Sequence, residues 1–119
     1  MIFLNPILRK IQRIAEIEFE ELIETTFEVN CKLRIVLHDK SFIDVGVSQK
    51  LANRFSIHWE RVDGSMYRYD NFPDKQWRSV PTFPFHFHKG SQNIVEASPF
   101  PPDVFKGFRE FMKFVRERV

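Results

Sequence analysis

Apolar residues recur at helical spacing near both ends of the chain. Asn5 and Pro6 suit a helix start, because Asn caps a first turn and Pro fits its first position, and apolar residues continue at helical spacing to about Ile17. Pro102 and Asp103 open a second helix. Its apolar stripe consists of Val104, Phe105, Phe108, Phe111, Met112, Val115 and Val119. The pattern predicts one amphipathic helix at each end.

Between these helices apolar and polar residues alternate, which is typical of strands that bury one face. The clearest alternating runs are residues 31–37, 41–47, 54–61, 65–70 and 83–88. Asp39-Lys40 and Asp63-Gly64 are turn sequences that join neighbouring runs. The alternation of apolar and polar residues is weaker over residues 19–29 and covers only a short segment at residues 94–97. We expect a single α+β domain over residues 1–119, with an N-terminal helix, an antiparallel meander of about five strands, and a C-terminal helix packed on the sheet.

Length and composition support one folded domain. The chain has 119 residues and a mass of 14.3 kDa, and its 14 Phe residues supply apolar mass for a core. The net charge is +2, but residues 1–30 carry −3 and residues 31–119 carry +5. Such a mild charge does not by itself predict binding to nucleic acid. The basic surplus does lie in the part of the chain that contains the histidines.

Apolar segment lengths and cysteine content indicate the cellular compartment of the protein. The sequence has no run of about 18 apolar residues that would predict a membrane span. Residues 1–10 lack the apolar segment and cleavage site of a signal peptide. Cys31 is the single cysteine, which excludes an internal disulfide and a cysteine-based zinc cluster. Because it begins an alternating run, we expect its thiol to be buried. These observations favour a cytoplasmic protein.

His86 and His88 are the first candidates for chemistry. Residues two apart on a strand point to the same face, so both imidazoles should face an open, positively charged hollow. The opposite face of that segment should be anchored in the core by Phe83, Phe85 and Phe87. Two such imidazoles can serve as general acid and base near neutral pH, or as two ligands of a metal. In a purely structural interpretation both rings hydrogen-bond to loop carbonyls.

Asp70 and His58 are further candidates for a catalytic site. Asp70 could orient one of the histidines, act as a third metal ligand, or cap the turn that follows it. His58 lies on the polar side of an alternating run, beside Glu60 on that side. A lone histidine in such a position is either an acid–base group or a structural hydrogen-bonding group. The sequence contains no P-loop, no serine-centred elbow and no HExxH motif, which disfavours the reactions that depend on them.

Basic and aromatic residues are interleaved in the second half of the chain. RNA-binding proteins use this pairing, because cations contact phosphates and flat rings stack on unpaired bases. A solvated strand face over a core completed by aromatic rings would look similar. The candidate RNA-binding residues are Arg54, Arg61, Arg68, Trp77, Arg78 and Lys89. Two of them lie in the long aperiodic segment 71–84, and loops of this length in small domains often carry function.

Three segments resemble the TumE family, the toxin component of toxin–antitoxin pairs. They read LHDKSFIDV (37–45), FSIHWERVDGSMYRYDN (55–71) and TFPFHFHKG (82–90), and the resemblance covers about residues 20–97. Its most specific part is Asp-Asn at 70–71, followed by Phe-Pro-x-His-x-His at 83–88. Family members often carry a histidine soon after the Asp-Asn-x-Pro stretch, where this chain has Asp-Lys-Gln at 74–76. The resemblance implies a cognate antitoxin, a small DNA-binding protein.

Two functional hypotheses follow, one catalytic and one not. In the first, the toxin cleaves RNA without a metal or other cofactor. His86 and His88 are then the acid–base pair, and Arg68, Arg78 and Lys89 contact phosphate. In the alternative, the chain is a non-catalytic protein-binding module that acts through a neighbour-encoded partner. A metal hydrolase built on the same histidines is a third interpretation. Exposed sheet edges would also allow a homodimer.

Overall fold

The computed structural model describes residues 5–51 and 53–119. Its sheet has seven antiparallel strands, and each strand pairs with the next one along the chain. The helices are α1 (Pro6–Glu18) and α2 (Val104–Arg116). The strands are β1 (Ile23–Val29), β2 (Lys32–Leu37), β3 (Phe42–Val47), β4 (Phe55–Glu60), β5 (Met66–Asp70), β6 (His86–Gly90) and β7 (Val95–Ala97). Short 3₁₀ turns lie at Glu20–Leu22 and Lys75–Trp77.

Both predicted helices are confirmed, and their starts use the expected residues. Asn5 Oδ1 accepts a hydrogen bond from the Ile7 amide at 2.7 Å, and Pro6 is the first residue of α1. Asp103 Oδ2 accepts from the Lys106 amide at 2.8 Å and so caps α2. Over the described residues, neither helix has the length and apolar content that crossing a membrane requires.

The core lies between one face of the sheet and the two helices. Alternate residues of the central strands are buried, so their side chains point to one side. Ile11 of α1 and Phe108 of α2 pack in the same apolar cluster as these strand residues. Both helices of the described chain therefore cover the same face. We call the opposite one the open face; across its middle run Arg34, Asp44, His58, Arg68 and His88, on neighbouring strands from β2 to β6.

Over residues 5–51 and 53–119 the sheet has seven strands, more than the expected number of about five. The additional strands are β1 and β7, which form its two edges. No residue of β1 is fully buried, and β7 has three residues of which two are exposed. Apolar and polar residues alternate where a strand buries one of its faces. Because the edge strands bury little, their alternation is weak.

Cys31 is exposed, so the expectation of a buried thiol was wrong. Asn30 and Cys31 join β1 to β2 and have φ angles of 50° and 64°. Two consecutive residues with positive φ form the tight turn whose twist suits a hairpin. The strand therefore begins at Lys32, and the thiol belongs to the turn rather than to the core face.

Tyr69 fixes β5 from the helix side of the sheet. Its ring is fully buried, and its hydroxyl donates a hydrogen bond to the Pro101 carbonyl at 2.7 Å. Gly107 lets α2 approach closely, because a Cβ at that position would lie 2.8 Å from Tyr69 Cε2. Since side chains alternate along a strand, Arg68 and Asp70 then point to the open face.

Candidate functional site

Four polar side chains meet where β5 and β6 pair on the open face. The strand register places Asp70 opposite His86 and Arg68 opposite His88. Side chains that are directly opposite each other on antiparallel strands lie within contact distance. The HxH pattern of β6 and the RxD pattern of β5 thus form one cluster, which we call the histidine cluster.

Asp70 is the centre of the histidine cluster. Its Oδ1 lies 3.2 Å from His86 Nε2 and accepts a hydrogen bond from the Phe72 amide at 3.1 Å. Its Oδ2 accepts from Arg68 Nε at 3.2 Å. The Asp70 side chain is 8% exposed, so its charge is balanced by the adjacent guanidinium and imidazole rather than by water.

Two backbone carbonyls determine which nitrogen of each imidazole carries a proton. His86 Nδ1 lies 2.9 Å from the Pro84 carbonyl, and His88 Nδ1 lies 2.9 Å from the Gln92 carbonyl. A carbonyl only accepts, so each Nδ1 must donate. Each Nε2 therefore remains for chemistry. His88 Nε2 lies 3.3 Å from Arg68 Nη2, a donor, so it is the unprotonated nitrogen of a neutral ring.

The two histidines differ in the direction of their pKa shifts. Burial alone would lower the pKa of His86, but the hydrogen bond and negative charge of Asp70 outweigh burial, and the pKa is raised. For His88, burial is again the largest effect, and the positive charge of Arg68 adds to it, so the pKa is lowered. One ring of the pair thus favours the protonated form and the other the neutral form.

The loop between β5 and β6 forms a roof over the histidine cluster. The Trp77 ring lies edge-on to His88, with a centroid distance of 5.9 Å, and 6.4 Å from the ring of His86. A cavity of about 250 Å³ remains under this roof. Its lining residues are Ser56, Arg68, Asp70, Phe72, Asp74, Trp77, His86, His88 and Gln92. We call it the histidine pocket.

The histidine pocket differs from the open hollow that the sequence predicts. Both imidazoles do face the same cavity, but His86 is 2% exposed and His88 is 1% exposed. Of the three anchoring rings, Phe87 is buried and Phe85 packs against the core. Phe83 lies in the loop before β6 and outside that core cluster, because β6 begins only at His86.

The comparison with protein families decides the identity of this domain. The family model described as Toxin TumE matches residues 4–119. The chain belongs to the TumE toxin family. It is therefore the toxin component of a toxin–antitoxin pair, and membership implies an antitoxin partner. No match was found among curated proteins or among solved structures.

In this TumE family toxin, two further predicted residues, Arg78 and His58, lie beside the histidine pocket or on the open face. Arg78 is exposed and ends the 3₁₀ turn that contains Trp77. His58 pairs across the strands with Arg68, and its Nε2 lies 3.0 Å from Glu60 Oε1, outside the pocket lining. Arg68 is therefore the one predicted arginine whose side chain lines the pocket.

The remaining basic candidates lie elsewhere in the toxin. Lys89 follows His88 on β6, so it points to the helix side, where its Nζ lies 3.7 Å from Glu96 Oε1. The guanidinium of Arg61 lies 4.8 Å from the Trp59 ring and donates a hydrogen bond to the Arg118 carbonyl at 3.1 Å. Arg54 donates to the Asn71 carbonyl at 2.8 Å and lines a larger cavity of about 720 Å³ at another end of the sheet. None of these three lines the histidine pocket.

Sequence reasoning missed Gln92 and Ser56 as residues of the site. Gln92 Oε1 accepts a hydrogen bond from Arg68 Nη2, while its backbone carbonyl holds His88. Ser56 lies opposite Asp70 in the strand register, so pairing the predicted β4 and β5 residue by residue would have found it. Gln92 lies in the turn after β6, where no periodic signal exists.

The histidine pocket also has the donor set of a metal site. Ligand atoms of Asp70, His86 and His88 all lie within 4.8 Å of one another. Two imidazoles and a carboxylate suit a divalent transition metal. However, Arg68 contacts both Asp70 and His88 Nε2, so a cation could enter only if the guanidinium moved away. The positive charge at this place is provided by the arginine.

Proposed function

We propose that this TumE family toxin cleaves RNA by metal-independent transesterification, with His88 as general base and His86 as general acid. The observation that carries the proposal is the unequal surroundings of two histidines that line one pocket. His86 Nε2 lies 3.2 Å from Asp70 Oδ1 and His88 Nε2 lies 3.3 Å from Arg68 Nη2, and the pKa shifts of the two rings have opposite directions. Environments that separate the pKa values of neighbouring groups are how active sites assign acid and base roles at one pH.

The reaction requires one proton to be removed and one to be supplied. His88 Nε2 takes the proton of a ribose 2′-hydroxyl, and the 2′-oxygen forms a bond to the adjacent phosphorus. The bond from phosphorus to the 5′-oxygen of the next nucleotide breaks. His86 gives its Nε2 proton, which Asp70 holds in the free protein, to that leaving oxygen. The products are a 2′,3′-cyclic phosphate and a 5′-hydroxyl.

Arg68 and the loop residue Trp77 have the two remaining roles, which are to stabilise negative charge and to contact a base. Arg68 brings a guanidinium to both Asp70 and His88, where it can stabilise the negative charge that develops on the phosphoryl oxygens. The aromatic roof residue Trp77 excludes water from the two imidazoles and offers a ring to a neighbouring base. A cavity of about 250 Å³ suits one nucleotide unit better than a helical duplex.

Cleavage of an end-labelled RNA oligomer by the purified toxin tests the proposed reaction. We expect fragments that end in a 2′,3′-cyclic phosphate, identified by mass spectrometry, and equal rates with and without EDTA. A His86→Ala/His88→Ala double variant should be inactive. Loss of cleavage in EDTA with recovery on adding zinc or manganese would indicate the metal hydrolase instead. Growth arrest without any RNA cleavage would favour the non-catalytic binding module.

The rate of cleavage should depend on pH with a bell-shaped profile. His88 must be neutral to act as base and its pKa is lowered, so the acid limb should lie below about 6.5, the usual histidine value. His86 must be protonated to act as acid and its pKa is raised, so the alkaline limb should lie above that value. Initial rates measured between pH 4.5 and pH 9 at constant ionic strength check this. A single limb would contradict a two-histidine mechanism.

A further inference from the structure

The turn between β6 and β7 brings a side chain from outside the strands to the histidine pocket. The Lys89 amide donates a hydrogen bond to the Ile94 carbonyl at 2.9 Å, which closes the hairpin. Gly90, the last residue of β6, has a φ angle of 88°, a conformation that glycine adopts readily and other residues rarely. Gln92 follows in the turn, yet it lines the pocket together with residues of β5 and β6. The turn, rather than a strand, therefore places Gln92 at the site.

Gln92 contacts both groups that determine the state of the proposed base. Its backbone carbonyl lies 2.9 Å from His88 Nδ1 and so fixes which ring nitrogen carries the proton. Its side-chain Oε1 accepts a hydrogen bond from Arg68 Nη2, and the same Nη2 lies 3.3 Å from His88 Nε2. One residue thus holds the imidazole at Nδ1 and the guanidinium that faces Nε2.

The Arg68 guanidinium is held at two of its nitrogens. Asp70 Oδ2 accepts from Nε at 3.2 Å, and Gln92 Oε1 accepts from Nη2. The Asp70 carboxylate also lies 3.2 Å from His86 Nε2, so it serves both imidazoles. The side-chain and carbonyl contacts of Gln92 are with Arg68 and His88. Its influence should therefore be limited to the base.

Gln92 is uncharged, so it holds the guanidinium without cancelling the positive charge beside His88. A carboxylate at this position would also accept from Arg68, but its negative charge would favour the protonated form of the ring. The charged or titratable groups around His88 are Arg68 and Asp70 on β5, His86 on β6, and Asp74 in the loop that forms the roof. Replacing Gln92 leaves all of these groups in the chain.

We infer that Gln92 is a positioning residue for the general base, which holds the Arg68 guanidinium beside His88 through its side chain and the His88 ring through its backbone. This inference rests on the proposed function and deepens it, because it assigns control of the base to a residue of the turn. Substitution separates the two contacts, since it removes the side chain and leaves the carbonyl. Without the side chain the guanidinium should be held less firmly beside His88, so the pKa of His88 should rise.

NMR of the histidine rings tests the inference without any RNA. The toxin with isotope-labelled histidine is titrated over the pH range of the cleavage assay. We expect Gln92→Ala to raise the midpoint of the His88 titration and to leave that of His86 unchanged, while the neutral His88 ring stays protonated on Nδ1. Gln92→Glu should also raise the His88 midpoint, because a carboxylate adds negative charge. The matched control is Gln76→Ala, the same change at an exposed residue of the roof that does not line the pocket.

Cleavage kinetics and a double variant show whether Gln92 acts through Arg68. In Gln92→Ala the acid limb of the pH profile should move to higher pH and the alkaline limb should stay. The rate near neutral pH should fall by about 10-fold, a loss typical for a residue that supports a reacting group. In an Arg68→Ala background, Gln92→Ala should no longer shift the His88 midpoint. Gln92 is exposed, so thermal melts of its variants should resemble wild type.

The outcomes for Gln92 and for the proposed function are distinguishable. The inference is overturned if Gln92→Ala has the His88 midpoint of Gln76→Ala, or if its shift persists without Arg68. An Arg68-dependent shift in a toxin that cleaves no RNA would refute the proposed function and leave the hold of Gln92 on Arg68 and His88 established. RNA cleavage with an unchanged His88 titration in Gln92→Ala would refute the positioning role alone.

Discussion

Replacing His88 by alanine should lower the rate of RNA cleavage by about 10²–10⁴-fold, the range typical for loss of a general acid or base. The reason is specific to its position. His88 Nδ1 donates to the Gln92 carbonyl, so Nε2 is the unprotonated nitrogen that can take a proton. The lowered pKa keeps this nitrogen, which faces Arg68 Nη2 in the free protein, unprotonated at neutral pH. Single-turnover rates with excess toxin measure the effect, and growth arrest after induction should be lost in parallel.

The matched control for His88→Ala is His58→Ala. His58 stands on the same open face, across the strands from Arg68, but it bonds to Glu60 and does not line the pocket. We expect the rate of His58→Ala to stay within about twofold of wild type. Equal losses of cleavage rate in both variants would mean that catalysis depends on the open face as a whole rather than on the histidine pocket. Thermal melts of both variants separate a lost base from a lost fold.

The sequence correctly predicted the helices and strands in which one face is fully buried. Strands such as β2 and β4 place every second residue in the core, so their period of two is clear. The helices carry caps at Asn5 and Asp103 that are visible in the sequence. The edge strand β1 and the turn at Cys31 were misjudged for one reason: burial, which produces the pattern, is low at a sheet edge and at a hairpin turn.

The histidine cluster was only partly visible in the sequence. The HxH spacing on a strand was enough to place His86 and His88 on one face, and Asp70 was already a candidate partner. What the sequence does not contain is the loop path that brings Trp77 over both rings. A loop without periodicity is positioned by contacts from distant parts of the chain. The burial of the two imidazoles therefore had no signal in the pattern.

Arg68 gives the histidine cluster its electrostatic character. Its guanidinium contacts Asp70, His88 and Gln92, so it connects three of the polar groups of the pocket. Burial is the largest cause of the lowered pKa of His88, and the positive charge of Arg68 adds to it while balancing the charge of Asp70. Both imidazoles are buried, so the difference between them follows from their neighbours on β5: the Asp70 carboxylate lies opposite His86 and the Arg68 guanidinium lies opposite His88.

Replacing Asp70 by asparagine should cause the second large effect, because it removes the charge that distinguishes His86 from His88. Without the carboxylate, burial dominates and the pKa of His86 should fall below its ordinary value. The alkaline limb of the pH profile should then move to lower pH, and the rate near neutral pH should fall by about 10²-fold or more, since His86 is no longer protonated. Arg68 also loses its ion-pair partner, so we expect unfolding to become easier by about 1–3 kcal/mol.

Stability measurements separate the two consequences of Asp70→Asn. A raised folded-state pKa of His86 stabilises the native state fully below the unfolded value of about 6.5, and this contribution is lost as pH rises through the raised value. The difference in free energy of unfolding between wild type and variant, measured by urea unfolding, should therefore decrease from pH 6 to pH 9. The control is Asp44→Asn, which breaks the ion pair with Arg34 on the same face, outside the pocket. It should leave the alkaline limb unchanged; a limb that moved equally in both variants would contradict the role of Asp70.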